Sequence, residues 1–171
     1  MKRAGVYCRS DLLIVQTHCE TADGLYTAWG KPVVLPTKTP SPLIGVALLK
    51  ALDESKRGVL HPTDWKAHYR PLFESVGVKR WSAFVEGAKS CSVETEAGRI
   101  LFEPEGYRED YRAFVAIKGA QFSVPLRSSA AEIGAALLRA LDQSIPKGGS
   151  LSRVQQRSKR KSSRDNRRTK V

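Results

Sequence analysis

Three histidines and three cysteines are the side chains of this 171-residue chain best suited to act as bases, nucleophiles or metal ligands. His61, Asp64 and His68 lie three and four residues apart, a spacing that could gather imidazole and carboxylate groups at the start of a helix. However, His61 precedes Pro62 and falls outside that helix, and no glutamate completes an H-E-x-x-H motif. We therefore predict exposed histidines and no metal site.

The cysteines do not suggest a disulfide framework or a zinc site. Cys8, Cys19 and Cys91 are odd in number and show no C-x-x-C spacing. Disulfide frameworks use even sets of cysteines, and structural zinc sites usually have paired ligands close in sequence. We predict small buried side chains in a reducing compartment. A Cys–His pair that meets only in the folded chain stays open as an alternative.

Sequence motifs of the common enzyme classes are absent from the chain. It contains no G-x-S-x-G nucleophile elbow, no G-x-x-x-x-G-K-[ST] phosphate loop and no G-x-G-x-x-G dinucleotide fingerprint. The sequence therefore predicts a binding protein that is not an enzyme and uses no cofactor. An enzyme whose site residues meet only in the fold is the alternative.

Acidic residues are concentrated in one part of the sequence. Between residues 86 and 110 there are seven carboxylates and only three basic residues. Glu94 and Glu96 share one face of a strand, and Glu103 and Glu105 share one face of the next, because side chains alternate along a strand. Such a surface attracts a basic partner and repels nucleic acid. The alternative is a solvated face whose charges discourage edge pairing.

Basic residues are concentrated at the C-terminal end. Residues 147–171 contain ten basic residues and one acid, whereas residues 1–146 contain 19 basic and 16 acidic residues. The overall content of 41% hydrophobic residues is enough for an ordinary core. We predict one domain over residues 1–146 and a disordered basic tail over residues 147–171, because the tail has almost no apolar side chains to bury.

The basic tail suggests an alternative function. Its charge clusters would bind polyanions without sequence preference, as in a non-specific RNA- or ribosome-binding protein. The residues that we expect to do this are Lys159, Arg160, Lys161, Arg167 and Arg168. The tail has no aromatic residue for base stacking, and a solubilising extension is a further interpretation.

The sequence gives no sign of membrane insertion or secretion. No apolar run reaches the roughly 18 residues of a membrane span. The first ten residues also lack the apolar segment of a secretory signal. We predict a cytoplasmic protein with no membrane contact.

Short strands and three main helices account for the hydrophobic pattern. The predicted strands cover residues 11–19, 25–29, 32–35, 80–86, 92–96, 99–103, 111–118 and 121–124. The predicted helices begin at Ser41 as cap with Pro42 following, at Thr63 as cap, and at a capping box of Ser129 and Glu132. The connections between the later strands are short, which favours antiparallel neighbours.

A twelve-residue repeat determines the predicted architecture. The segment that starts at Ile44 recurs 89 residues later from Ile133, with nine of twelve positions identical. Gly45 and Gly134 would let a sheet or a second helix approach closely, at a cost in helix propensity of about 1 kcal/mol each. We predict an α+β fold, an antiparallel sheet of about five or more strands packed by two pseudo-equivalent helices and a third helix.

The repeat and its surroundings resemble a known family. The similarity lies first in a strand that ends in proline and is followed by the motifs S-x-x-E-I-G and A-L-L-R-A-L-D-Q-S between Ser129 and Ser144. The earlier copy of this pattern at residues 41–55 and the predicted strands around Trp81 also belong to it. This pattern resembles the immunity proteins of bacterial contact-dependent growth inhibition (CDI) systems over residues 10–145. The basic tail departs from what we would expect of that family.

The resemblance implies a cytoplasmic antitoxin. Such a protein binds and blocks the C-terminal toxin domain, often a nuclease, of a surface-delivered effector. Nucleases grip nucleic acid with basic clefts, and carboxylates can occupy such clefts by charge mimicry. We therefore expect the toxin to contact Glu94, Glu96, Glu103, Glu105, Glu109 and Asp110.

Overall fold

The computed structural model describes residues 1–149, whose strands form one curled sheet. The strands are β1 (Lys2–Arg9), β2 (Leu12–Thr21), β3 (Tyr26–Ala28), β4 (Val33–Pro36), β5 (Arg57–Val59), β6 (Lys89–Glu96), β7 (Arg99–Arg108), β8 (Ala113–Ala116) and β9 (Phe122–Pro125). The helices are α1 (Ser41–Asp53), α2 (Trp65–Glu74), α3 (Trp81–Phe84) and α4 (Ala130–Gln143). Most of the predicted basic tail, including its five predicted polyanion-binding residues, lies outside the described residues.

The sheet is antiparallel except at one short strand. Its order is β3-β2-β1-β6-β7-β8, with β4 also beside β2 and β9 also beside β7. The exception is β5, which runs parallel to the end of β2. This arrangement confirms the predicted α+β class.

Alternation along the strands gives the sheet two apolar faces. The first face, with Val6 and Leu13, forms a core with α1 and α4. The second face, with Tyr7 and Ile14, forms a smaller core with residues of α2 and α3 such as Phe84. The sheet is therefore the middle of three layers, with the repeated helices on the first face.

Strand register shows that the duplication extends beyond the two repeated helices. In the first half Arg3 lies opposite His18, and 87 positions later Ser90 lies opposite Glu105. The edge strands follow the same rule, because β4 and β9 each pair with the beginning of the long strand of their own half. With β1 and β6 antiparallel at the centre, the two halves are related by a pseudo-twofold axis.

Two glycines let the repeated helices contact each other backbone to backbone. A Cβ on Gly45 would lie 1.9 Å from the carbonyl oxygen of Ala130, and a Cβ on Gly134 would lie 2.0 Å from that of Ser41. The contacts are pseudo-symmetric, because Ser41 and Ala130 are the first residues of α1 and α4. The prediction that these glycines admit a close neighbour is confirmed, and the neighbour is the other helix.

The serines that end the repeat connect each helix to the sheet. The Ser144 hydroxyl accepts a hydrogen bond from the Ser90 N–H at 2.8 Å and donates one to the Glu105 carbonyl at 2.7 Å. The Ser55 hydroxyl makes the corresponding bonds in the first half, at 3.0 and 2.6 Å. The last position of the repeat is serine in both copies because its hydroxyl joins the end of the helix to the sheet.

Replacing Ser144 by alanine is expected to lower the free energy of unfolding by about 2–3 kcal/mol, because two hydrogen bonds are lost and the buried Ser90 N–H is left without its partner. Urea denaturation measures the change. The exposed Ser82 supplies a matched control, whose alanine variant is expected to stay within about 0.5 kcal/mol of the parent. Equal effects at the two positions would contradict the bridging role of Ser144.

Three regions differ from the predicted strands, and one of them is the short β5 (Arg57–Val59), which was not predicted. The central strand β1 was missed, because Gly5 and the basic residues of this segment weaken its strand pattern. The segment 80–86, predicted as a strand, instead contains α3. Trp81 and Phe84 lie three residues apart and both contact the Tyr7 ring, so the period of the aromatic residues is helical.

Two predicted helix caps were wrong by one residue. Ser41 is already helical, and the N-cap of α1 is Pro40 without a side-chain hydrogen bond. The N-cap of α2 is Asp64 in place of Thr63, and its carboxylate accepts from the Ala67 N–H at 2.9 Å. A cap side chain must lie directly before the first helical residue to reach this N–H. The capping box predicted for α4 is confirmed.

Candidate functional site

Three of the six predicted carboxylates lie together on the second face of the sheet. Glu94 is on β6, and Glu103 and Glu105 are on the adjacent β7. Ser92 lies opposite Glu103, and Ser90 lies opposite Glu105. We call Glu94, Glu103 and Glu105 the acidic strip. Its side chains are held on two long paired strands, which fixes their spacing.

Glu94 is neutralised within the protein. Its carboxylate accepts hydrogen bonds from Arg3 at 2.8 and 3.2 Å, and only 9% of the residue is exposed. The Arg3 guanidinium also lies 4.5 Å from the centre of the Tyr26 ring. Within the acidic strip, Glu94 therefore holds the β1 arginine in place and contributes little net charge.

Glu103 and Glu105 carry the net charge of the acidic strip. The Glu105 carboxylate accepts a hydrogen bond from the Ser90 hydroxyl at 2.5 Å. Burial raises the pKa of Glu105, and the neighbouring charge of Glu103 raises it further. Neither residue forms an ion pair within residues 1–149. The strip can therefore accept a cation from outside the described chain.

The other three predicted carboxylates lie at the ends of β7. Glu96 is exposed beside the β6–β7 turn, where it lies opposite Arg99. Glu109 and Asp110 are exposed in the turn after β7. Arg108 donates to Asp110 at 2.6 and 2.9 Å, and this contact lowers the pKa of Asp110. The fold does not bring these three carboxylates into the acidic strip.

An aromatic cavity, which the sequence interpretation missed, lies beside the strip on the same face. Its volume is about 280 Å³, slightly below the usual range for small-molecule pockets. The lining residues are Tyr7, His18, Tyr26, Thr27, Ala28, Tyr69, Phe73 and Trp81. The sequence contained a pattern that could have indicated an aromatic helix face here, because Trp65, Tyr69 and Phe73 recur every four residues. These three rings stack along α2. The cavity is of a size to receive side chains of a partner.

His18 forms part of the cavity and is uncharged at neutral pH. Its imidazole lies directly over Gly5, where a Cβ would come within 2.6 Å of the ring. Burial lowers the pKa of His18 to about 4, and the charge of Arg3 acts in the same direction. The absence of a side chain at Gly5 is therefore what creates the space for this ring.

The lowered pKa of His18 predicts a loss of stability in mild acid. The unfolded chain binds the proton near the ordinary pKa of 6.5, whereas the folded chain binds it only near 4. Stability from this residue is therefore complete above pH 6.5 and is lost as the pH falls towards 4, by up to about 3 kcal/mol. Urea denaturation across this range should show a smaller loss for His18→Gln than for the parent. Parallel curves for the two proteins would contradict the prediction.

The other histidines and the cysteines do not assemble into a site. His61 contacts Asp23 at 3.0 Å, whereas His68 contacts the Thr27 hydroxyl at 2.9 Å. Cys19 and Cys91 are buried, as predicted, while Cys8 is half-buried. Burial raises the pKa of Cys8 and of Cys91, which disfavours thiolates. No group of three or more potential ligands among residues 1–149 could hold a metal ion.

The match to known families decides the identity of the fold. A family model described as CDI immunity protein matches residues 2–144. The chain belongs to this family. The resemblance proposed from the sequence is confirmed, and it now includes β1, which that resemblance left out. Membership of this family supports a role as an immunity protein for this chain.

Solved structures share the fold of this CDI immunity protein. A protein of unknown function from Neisseria meningitidis, NMB0488, has a TM-score of 0.70 and 25% identity, covering 84% of this chain and 94% of its own. The CdiA-CT/CdiI toxin and immunity complex from Yersinia pseudotuberculosis has a TM-score of 0.69 and 19% identity, covering 84% and 97%. No curated protein matches the chain. Among residues 1–149, no helix is both long and apolar enough to cross a membrane.

Proposed function

We propose that this CDI immunity protein binds the C-terminal toxin domain of its cognate effector, that the toxin is a nuclease, and that the second face of the sheet makes the contact. The observation that carries the proposal is the pair Glu103 and Glu105, two neighbouring carboxylates without an ion-pair partner in residues 1–149. The family match and the likeness to a chain of a toxin and immunity complex support the same role.

A nuclease is the toxin class that best fits the charge of the acidic strip. Nucleases bind phosphates through Lys and Arg side chains. The Lys and Arg side chains of the toxin would then donate charge-assisted hydrogen bonds to Glu103 and Glu105 in place of the phosphates of nucleic acid. The strip is built on paired strands, so little conformational entropy is lost when the partner binds.

The aromatic cavity supplies the apolar part of the proposed interface. Interface energy concentrates in aromatic and arginine side chains that fill well-packed pockets. Tyr69 and Phe73 form one wall of the cavity and Tyr7 another. Tyr7 lies opposite Ser90, which lies opposite Glu105, so one strand separates this wall from the strip. A toxin side chain held here would lie beside the cations that contact the strip.

The six predicted carboxylates take different roles in this proposal. Glu103 and Glu105 contact the toxin, and Glu94 holds Arg3 in position beside them. Glu96 and Glu109 lie at the ends of β7 and attract the basic toxin from a distance, whereas Asp110 is neutralised by Arg108. Removal of Glu96 and Glu109 is therefore expected to slow association at low salt more than it speeds dissociation.

Co-expression with the C-terminal toxin domain of its cognate effector tests the proposal. We expect the cells to survive and a one-to-one complex to co-purify, and we expect the isolated toxin to cleave DNA or RNA until this protein is added. Survival with a toxin that leaves nucleic acid intact would overturn the nuclease assignment alone. Failure to bind the toxin, with RNA binding that Lys159→Gln and Arg160→Gln abolish, would favour the RNA-binding alternative.

A further inference from the structure

The chain leaves the two repeated helices along equivalent paths. After α1, the Lys56 carbonyl accepts a hydrogen bond from the Glu20 N–H at 2.9 Å. After α4, the Ile145 carbonyl accepts one from the Tyr107 N–H at 3.0 Å. Both bonds place the departing chain in parallel with the long strand of its own half. The pseudo-twofold relation therefore includes the exit from each helix.

In the first half, the departing chain goes on to cover the second face. It passes through β5 into α2, whose Leu72 packs with Ile14 in the smaller core. The counterpart in the second half begins at Ile145, and residues 150–171 follow it in the sequence. By the same path, this segment would reach the part of the second face that belongs to β6 and β7, where the acidic strip lies.

The charge of the departing segment matches the strip. Residues 147–171 contain ten basic residues and one acid, whereas Glu103 and Glu105 have no ion-pair partner in residues 1–149. The first basic residue, Lys147, already binds on this side, 2.5 Å from Glu86 and 6.0 Å from the centre of the Tyr107 ring. The contact with Glu86, with a smaller contribution from Glu109, raises the pKa of Lys147.

We propose that residues 150–171 dock on the acidic strip of their own chain. Twenty-two extended residues span up to about 70 Å, so reach does not limit the contact. The tether gives the segment an effective concentration near 1 mM, which is enough to occupy the strip through weak ion pairs. If the strip also binds the toxin, as proposed above, the segment and the toxin compete for it. The segment then shields the carboxylates from unrelated basic proteins.

Zero-length carbodiimide coupling of the full chain tests the contact. This reagent joins lysine amines to carboxylates in direct contact, and mass spectrometry identifies the joined residues. We expect Lys159 or Lys161 to couple to Glu103 at least about fivefold more than to Asp142, and to lose this preference in 0.5 M NaCl. Asp142 is the matched control, because its side chain is 84% exposed and it precedes the same segment on α4. Equal coupling to Glu103 and Asp142, or no coupling to Glu103, would overturn the proposal.

Toxin binding then separates this proposal from the function above. In the full chain, Lys159→Gln, Arg160→Gln and Lys161→Gln together are expected to tighten toxin binding about three- to tenfold, because the competing segment is weakened. If the lysines couple selectively to the strip but the triple variant binds the toxin with unchanged affinity, the toxin binds elsewhere and the docking of residues 150–171 stands. Tighter toxin binding without selective coupling would overturn the docking and leave the toxin site intact.

Discussion

Replacing Glu103 by lysine is expected to weaken the toxin complex at least about 30-fold. The change removes a carboxylate from the acidic strip and places a positive charge opposite the basic residues of the toxin, a loss of about 2 kcal/mol or more. Glu103 is partly exposed and has no ion pair within residues 1–149, so the fold should tolerate the change. Titration calorimetry at 50 and 200 mM NaCl measures the affinity.

Matched variants show whether the effect belongs to the strip. Glu103→Gln should lose less affinity than Glu103→Lys, and Glu105→Gln should also weaken binding while it keeps a hydrogen-bonding group for Ser90. Asp142→Lys reverses an exposed charge on α4, on the other side of the sheet, and is expected to leave the affinity within about twofold. Undiminished affinity and neutralisation in a Glu103→Lys, Glu105→Lys double variant would show that the toxin binds elsewhere.

Adding a single methyl group to Gly45 is expected to destabilise the fold by about 3 kcal/mol. A Cβ there would lie 1.9 Å from a backbone oxygen of α4, so the two helices must separate. Alanine in an exposed helix would instead gain about 1 kcal/mol over glycine, which makes the sign of the effect diagnostic. Chemical denaturation of Gly45→Ala measures the change, and Gly134→Ala should match it by pseudo-symmetry.

The neighbouring Val46 provides the control for this effect. It is 55% exposed on the same helix, and Val46→Ala is expected to change the free energy of unfolding by less than about 1 kcal/mol. A double variant of Gly45 and Gly134 should lose less than the sum of the two single losses, because one separation of the helices relieves both contacts. A stability gain in Gly45→Ala would contradict the backbone contact between α1 and α4.

Much of the first face could be predicted from the sequence. The repeat from Ile44 and from Ile133 identified two equivalent helices, and the paired glycines indicated the close approach of a sheet or a second helix. The spacing of apolar residues and the sequence identity of the two repeats show this without knowledge of which elements become neighbours in the fold. The duplication of β1 and β2 as β6 and β7 was not visible, because Arg3 and Ser90, or His18 and Glu105, occupy equivalent positions with unrelated side chains.

The candidate site was only half visible for a related reason. Alternation placed Glu103 and Glu105 on one face of a strand, as the register confirms. The sequence did not show that Arg3 neutralises Glu94, because this ion pair requires β1 to pair with β6, and the two residues lie far apart in the sequence. The cavity likewise needs α2 to pack across β1 and β3, and side-chain periodicity does not encode which elements become neighbours.

The pseudo-twofold relation makes pairing between like halves of two molecules possible. Since each half contains the same strands and helix, β1 of one molecule could pair with β1 of another in place of its own β6, and form an open chain of molecules. The Arg3–Glu94 ion pair forms only when unlike halves meet, because the equivalent partners in a like pairing would be Tyr7 and Ser90. The 2.8 Å charge pair at the centre of the sheet therefore favours pairing of unlike halves over pairing of like halves.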